Sequence, residues 1–235
     1  MQYVKIKEAL VEQIDSGMLA ARQKLPSERK LAESFDTTRV TLREALSLLE
    51  AEGKIYREDR RGWFISPEPL IYDPTQTHQF TNMALAQQRK PETKLISTKS
   101  MLANKQAVKL LELPPFADVY QVDRVRYLEG RPVVFVTNYI KSELFPKLLK
   151  HDLSQPLNDI YHEHYGQQYQ KIRYRVSTTS LLGNMAQALR ATPGSPATLV
   201  ERINYNQHGQ LIDCELEYWR HDAMCIESIA EFQCD

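Results

Sequence analysis

The run Thr38-Arg39-Val40-Thr41-Leu42-Arg43-Glu44-Ala45-Leu46-Ser47-Leu48-Leu49 decides how this chain is read. At about 100° per residue, Leu42, Ala45, Leu46 and Leu49 fall on one stripe, and Thr38, Arg39, Thr41 and Arg43 sit largely off it. The spacing predicts a helix that opens at Thr38 and runs to about Glu52, with Gly53 just beyond its end. Its outer side carries two guanidinium groups and two hydroxyls near the N-terminus. A helix in the DNA major groove uses such groups, because arginine forks onto guanine O6 and N7 and threonine meets phosphate oxygens or a thymine methyl. The helix N-terminus itself favours phosphate. On spacing alone, a solvated face braced by i,i+4 pairs with glutamate is an equal alternative.

Working outward, two more helices precede this one. Tyr3, Ile6, Leu10 and Ile14 recur every three to four residues, and Gly17 is placed to stop that helix. Ser27, after Pro26, can cap a second short helix with Leu31, Ala32 and Phe35 on its inner face. Downstream, Ile55–Arg57 and Trp63–Ser66 read as extended runs joined by Glu58-Asp59-Arg60-Arg61-Gly62. The order is helix, helix, helix, hairpin, with Arg57, Arg60 and Arg61 at or near the hairpin tip. A winged helix-turn-helix would use that tip to hold the DNA backbone or enter the minor groove.

Composition bounds the rest. The chain has 235 residues with 30 Lys+Arg against 30 Asp+Glu, which excludes a histone-like binder but not a local basic face. Residues 1–66 hold 12 basic and 11 acidic residues. Cys214, Cys225 and Cys234 are odd in number and form no CxxC pair, so reduced thiols and a cytoplasmic protein are expected. No apolar run approaches a membrane span, and Met1 opens directly into a charged amphipathic stretch, so no signal peptide is expected.

Residues 67–76 contain three prolines and no helical period, and are expected to be an extended linker between domains 1–66 and 77–235. The second domain carries an internal echo. Ser97, Thr98, Ser100, Leu102 and Asn104 recur eighty positions later as Ser177, Thr178, Ser180, Leu182 and Asn184. Each copy reads as strand–helix–strand–strand, with Asn104 and Asn184 as expected helix caps. Hairpin turns are expected at 128–131 and 206–209. Two such units can share one antiparallel sheet with pseudo-two-fold symmetry and a cleft near their junction.

The N-terminal motifs resemble the winged-helix domain of the GntR family of bacterial repressors. The resemblance rests on Leu25-Pro-Ser-Glu-Arg-Lys-Leu-Ala32, Phe35, Thr38-Arg-Val-Thr-Leu-Arg-Glu-Ala-Leu46, Leu49, Gly53 and Gly62-Trp-Phe64. It implies that Arg29, Arg39 and Arg43 contact DNA and that Gly62 lies in or near the minor groove. The candidate DNA-binding set is Ser27, Arg29, Thr38, Arg39, Thr41, Arg43, Arg60, Arg61 and Gly62. The usual wing has two glycines flanking one residue, whereas this chain has Arg60-Arg61-Gly62 and leans more on charge.

The remaining residues are similar to the effector-binding UTRA domain of the HutC subfamily, related in fold to chorismate lyase. The marks are Tyr120-Gln-Val-Asp-Arg-Val-Arg126, Gly130-Arg-Pro132, Asn138-Tyr-Ile140, Phe145-Pro146 and Tyr218-Trp-Arg-His-Asp222. Strand alternation puts Arg124 and Arg126 on one face with Tyr120 and Val122, as either a solvated rim or an anion clamp. The resemblance favours the clamp, with a hydroxyl from the Thr93 region, an acidic partner at Asp213, and Trp219 at a usual tyrosine. Val136 stands where sugar-phosphate-binding relatives carry an acid, and Pro156-Leu157-Asn158 replaces the usual Ser-Leu-Tyr helix opening. Asp59–Phe64 and Cys214–Asp222 look most like regulators of 2-aminoethylphosphonate uptake and breakdown.

The expected fold class is therefore α+β, a winged helix-turn-helix followed by a mixed α/β domain with an antiparallel sheet. The expected function is a ligand-responsive transcriptional repressor with no cofactor. Its expected partners are a palindromic double-stranded operator, bound as a homodimer, and a small anionic effector; no membrane contact is expected. The rivals are a sugar-phosphate-responsive regulator or a small-molecule enzyme of the same C-terminal fold. The enzyme reading is weak: the chain has no GxSxG elbow, GxGxxG or Walker loop, and fold kinship alone does not license catalysis. His162 and His164 at i,i+2 point to different helix faces and are not expected to bind metal. Cys214 is expected to be an inert buried thiol.

Overall fold

Three helices form where the apolar stripes put them. The computed structural model describes residues 1–76 and 79–230. Helices α1 (Gln2–Asp15), α2 (Glu28–Ser34) and α3 (Arg39–Ala51) are followed by a hairpin of β1 (Ile55–Glu58) and β2 (Gly62–Ile65). The Ser27 hydroxyl accepts from the Lys30 amide at 3.3 Å and starts α2. The Thr38 hydroxyl accepts from the Thr41 amide at 3.2 Å and starts α3. Each satisfies one of the amides a helix start leaves unpaired. Leu42, Ala45, Leu46 and Leu49 are fully buried against Ile6, Leu10, Leu25, Leu31, Ile55 and Trp63. Each large side chain of that kind adds about 1.5–3 kcal/mol through burial.

The connecting segment is not an open linker. Residues Leu70–Tyr72 form β3, which pairs in parallel with β10 (Met224–Ile226). Leu70 and Tyr72 are buried with Phe80, Met83, Ala84 and Trp219. The prolines excluded a helix, as read from the sequence. The alternating apolar residues between them nonetheless suffice for a short strand once Met224–Ile226 offers it a partner.

The second domain is built on a six-stranded antiparallel sheet. It contains α4 (Phe80–Ala86), β4 (Pro91–Leu102), α5 (Lys105–Leu111), β5 (Asp118–Leu128) and β6 (Arg131–Lys141). Then come α6 (Leu157–Tyr165), β7 (Tyr169–Ser180), α7 (Gly183–Ala188), β8 (Pro196–Asn206) and β9 (Leu211–Arg220). The strand order is β4-β5-β6-β9-β8-β7, so the two strand–helix–strand–strand units meet at β6 and β9, with Thr137 opposite Leu216. The residues that start α5 and α7 are Asn104 and Leu182, 78 positions apart, so the structural period is two residues shorter than the sequence echo. Asn104 caps its helix, accepting from the Ala107 amide at 2.9 Å. Asn184 does not: it sits inside α7, which has no side-chain cap. A shift of two keeps side chains on the same face of a strand but moves a capping residue into the helix.

Helices cover both faces of the sheet. On one face, α5 packs Ala107 and Leu111 near Tyr139 and Cys214, and α7 packs Ala186 and Leu189 near Val125 and Phe135. On the other, α4 packs against Val134, Val136 and Trp219, and α6 against Val122 and Ile140. The sheet surface between α4 and α6 is left open, and Arg124, Arg126, Arg202 and Glu215 reach it.

Candidate DNA interface and ligand cavity

Alpha3, the start of α2 and the wing enclose a concave surface of about 500 Å³. Its lining includes Lys24, Arg29, Arg39, Arg43, Arg57, Arg60 and Arg61, together with Ser27, Gly62 and Trp63. The lining holds seven cationic side chains against one carboxylate, that of Glu28. A chain of zero net charge has therefore concentrated positive charge on one face, which is what duplex phosphates require.

Glu28 organises this face. It accepts from Arg43 Nε at 2.7 Å and from Trp63 Nε1 at 3.2 Å, tying α2, α3 and β2 together. Burial works to raise its pKa, but the bonds from Arg43 and Trp63 and the charges of Arg43 and Arg57 outweigh that and hold it below the ordinary carboxylate value. Arg29 pairs with Glu33 at 2.8 Å, and Arg61 with the buried Glu58. Arg39 is exposed and has no acidic partner among the described residues.

At the wing tip Arg60 has φ +58°, the left-handed conformation that glycine usually supplies, and Gly62 has φ +102°. Of the sequence candidates, Ser27, Arg29, Arg39, Arg43, Arg60, Arg61 and Gly62 line this one surface. Thr38 and Thr41 stand beside it on the first turn of α3, with their hydroxyls 3.0 Å apart. Lys24 was not read from the sequence, and Arg57, expected at or near the hairpin tip but left out of the candidate set, lies within β1. Strand parity is the signal for Arg57, which stands opposite Trp63 in the hairpin register, its guanidinium 5.7 Å from the Trp63 ring.

The gap between α4 and α6 is a cavity of about 210 Å³. Gln79, Phe80, Thr81 and Asn82 line it from the start of α4, and Ser154, Pro156, Leu157 and Asn158 from the approach to α6. Thr93 lies opposite Arg126 in the β4–β5 register, and both line the cavity with Arg124. Arg124 donates from Nη2 to Asn138 Oδ1 at 2.8 Å and from Nη1 to the Gln155 carbonyl at 3.3 Å. Among the described residues it meets no carboxylate, and its buried Nε has no partner. Burial, and then the neighbouring charge of Arg126, lower its pKa.

Arg126 is instead an ion-paired group, 2.9 Å from Glu217 and 2.5 Å from Glu215, with its guanidinium 5.3 Å from the Phe80 ring. Arg202, a wall residue that sequence reasoning missed, faces the same carboxylates at 3.5 and 3.8 Å. Burial disfavours the Glu215 anion, but Arg126, Arg202 and Arg124 together hold its pKa well below the ordinary range. Glu217 goes the other way, raised by burial and by the charge of Glu215. Three guanidinium groups thus face two carboxylates, so the site carries excess positive charge.

Two sequence candidates stand behind the wall rather than on it. Asp213 is completely buried, accepts from the Tyr169 hydroxyl at 2.6 Å and from Asn204 Nδ2, and does not line the cavity. Trp219 is also completely buried and donates from Nε1 to Glu217 Oε2 at 2.9 Å. Both share the strand face of the cavity, but Tyr169 covers one and Phe80 and Tyr72 the other. The acid that reaches the wall is Glu215. Cys214 points away, its thiol pKa pushed up by burial. Among the described residues no cluster is arranged to hold a metal, and His151 and His164 instead stack at 4.1 Å. Cys234 lies outside the described residues.

Comparison with known families matches residues 2–65 to the bacterial regulatory proteins of the gntR family and residues 86–224 to the UTRA domain. The chain is a gntR-family regulator with a UTRA domain. Its relatives include the uncharacterized HTH-type transcriptional regulator YihL of Escherichia coli strain K12, 29% identical over 219 residues and covering 93% of each chain. The HTH-type transcriptional repressor NagR of Bacillus subtilis is 26% identical over 94% of this chain and 90% of its own. Among solved structures, PhnF from Mycobacterium smegmatis shares the fold with a TM-score of 0.67, at 22% identity over 97% of this chain and all of its own. The family is one of transcriptional regulators, not enzymes. The concave basic face belongs to the gntR domain and the cavity to the UTRA domain, apart from its α4 wall, where Gln79–Asn82 precede the matched segment. No helix among the described residues is long and apolar enough to cross a membrane.

Proposed function

We propose that this gntR–UTRA regulator is a repressor that binds a palindromic operator as a homodimer and is switched by a small anion in the UTRA cavity. The effector reading rests on one observation: Arg124 stands at the cavity wall, buried, with no carboxylate partner among the described residues and with an unpaired Nε. A buried guanidinium in that state is stabilised by an arriving anion. The hydroxyl of Thr93 and the side chains of Thr81, Asn82 and Ser154 offer hydrogen bonds around the same space. Glu215, paired with Arg126 and Arg202, is the one carboxylate among the described lining residues and so the acid that a ligand's cationic end would meet. A small zwitterion such as 2-aminoethylphosphonate fits this charge pattern. Val136, buried in the apolar core, leaves no acid for a sugar hydroxyl at that position.

The homodimer reading draws on the sheet edges. Strands β4 and β7 are each twelve residues long and end the sheet, and Leu95, Ile96, Leu102 and Val176 are exposed on them. Long apolar edges of this kind are usually covered, and a second copy would cover them while supplying the second winged helix a two-fold operator needs.

Calorimetry with 2-aminoethylphosphonate, inorganic phosphate and glucose 6-phosphate tests the effector. The expected result is binding of the aminophosphonate that Arg124→Ala weakens by about ten- to a hundredfold, as loss of a charged hydrogen-bond donor should. Binding of glucose 6-phosphate alone, or an aminophosphonate affinity indifferent to Arg124→Ala, contradicts it.

A further inference from the structure

The wing is held by the other domain. In β1, Tyr56 and Glu58 point to the opposite side from Ile55, and both are buried, although neither belongs to the winged-helix core. The Tyr56 ring stacks on Phe64 of β2 at 5.4 Å, and the second domain adds the guanidinium of Arg131, the first residue of β6, 3.5 Å from its centre, and that of Arg220 at 5.4 Å. Arg131 Nη2 donates to Asp222 Oδ2 at 2.5 Å, and the same oxygen accepts from the Ser66 hydroxyl at 3.2 Å. Arg220, at the end of β9, donates from one nitrogen to the Arg57 carbonyl at 2.9 Å and from the other to the Leu189 carbonyl at 2.8 Å. The Asp59 amide, in the wing turn itself, donates to the Arg190 carbonyl at 2.8 Å.

These contacts all lie behind the wing. In front, Arg57, Arg60 and Arg61 remain on the concave face with Arg39. A two-stranded hairpin is marginal by itself, and its tip is among the least constrained parts of a winged helix. Here the Arg57 carbonyl, in β1, and the Asp59 amide, at the start of the turn, are bonded to the second domain, the first to the end of β9 and the second to the loop that follows α7.

We propose that Arg131, Arg220 and Asp222 of the UTRA domain are positioning residues for DNA recognition, seating the wing so that its arginines face the duplex with the recognition helix. The placement also joins the seat to the cavity. Arg220 follows Trp219, whose indole is bonded to Glu217, and Glu217 pairs with Arg126 at the cavity wall. A ligand that redistributes charge among Arg124, Arg126 and Glu215 acts on the same strand that holds the wing. This second part rests on the effector reading given above; the seating of the wing does not.

The test uses substitutions on the winged-helix side, which leave the buried ion pair intact. The probes are the full-length protein, the duplex that the wild-type protein selects from a randomised pool, and amide hydrogen exchange across residues 55–66. Tyr56→Leu is expected to weaken duplex binding about tenfold, as loss of a desolvated cation–π contact would, and to accelerate exchange at the Asp59 amide. Tyr56→Phe, which keeps the ring, is expected to behave as wild type. Ser66→Ala removes one bond without touching either core and is expected to cost about two- to threefold, restored by Ser66→Thr. It keeps the proposal testable if Tyr56→Leu misfolds. Duplex affinity that is unchanged or raised, with Asp59 as protected as in wild type, overturns the proposal.

Adding 2-aminoethylphosphonate is expected to shift duplex affinity in wild type and much less in Tyr56→Leu; an equal shift in both overturns the link to the cavity. If wild type does not respond, the effector reading fails, and duplex affinity and Asp59 exchange alone decide the seating.

Discussion

Arg39 is the residue on which recognition most depends. It is exposed, has no acidic partner among the described residues, and stands on the first turn of α3, where a groove-bound helix meets base edges. Arg39→Ala is expected to cost about 1–3 kcal/mol of duplex binding and to relax the sequence selected at one position, read by binding to a panel of single-base variants. A loss that is uniform over the panel would make it a phosphate contact instead. Asp213 makes a different prediction. Burial pushes its carboxyl up to about 6, despite bonds from Tyr169 and Asn204. The folded protein therefore keeps a proton there that the unfolded chain, near its ordinary 3.8, releases. Stability from this group is present below that value and falls as pH rises toward 6, by about 3 kcal/mol in all. The difference in unfolding free energy between wild type and Asp213→Asn should shift by about 2 kcal/mol between pH 4 and pH 6, and a constant difference would show that Asp213 ionises freely. These residue-level assignments were only partly legible in the sequence. The Arg-x-Arg pair could be put on one face, but not that Arg126 would be consumed by Glu215 and Glu217 while Arg124 met only Asn138 and the Gln155 carbonyl. Parity could place Asp213 and Trp219 on the cavity face, yet could not show that Tyr169, Tyr72 and Phe80 would cover them.

Elements were read best where one periodicity governed them. The three N-terminal helices and the hairpin follow from apolar spacing and two capping hydroxyls, because a stripe that must be buried fixes the helix that carries it. Strand β3 was missed because its fold depends on Met224–Ile226, more than 150 residues away, and nothing local announces that partner. The internal echo was right in topology and wrong in phase. That difference yields a direct prediction: Asn104→Ala should lose about 1 kcal/mol of stability by removing a cap, while Asn184→Ala, inside α7, should lose much less. Equal losses in thermal or urea unfolding would contradict the 78-residue structural period.

At the scale of the molecule, the domain order and neutral total charge were evident from composition, but the distribution of charge was not. Glu28 is the lone carboxylate among the lining residues of the basic face, Glu33, Glu58 and Asp59 pair with Arg29, Arg61 and Arg60 from its margin, and Glu215, Glu217 and Asp222 are spent inside the second domain against Arg126, Arg202 and Arg131. A neutral chain should accordingly hold unspecific DNA weakly and depend on a few placed contacts, which suits a regulator that must release its site. The contacts between the wing and the second domain were invisible in sequence, since each joins residues that are polar and locally unremarkable. The central claim is that seven cations on one face make this neutral protein a DNA reader. It is tested most directly by the salt dependence of duplex binding for wild type and Arg60→Ala. Wild type should lose affinity steeply as salt rises, and Arg60→Ala should bind more weakly with a slope shallower by about one. Identical affinities and slopes for the two proteins would contradict it.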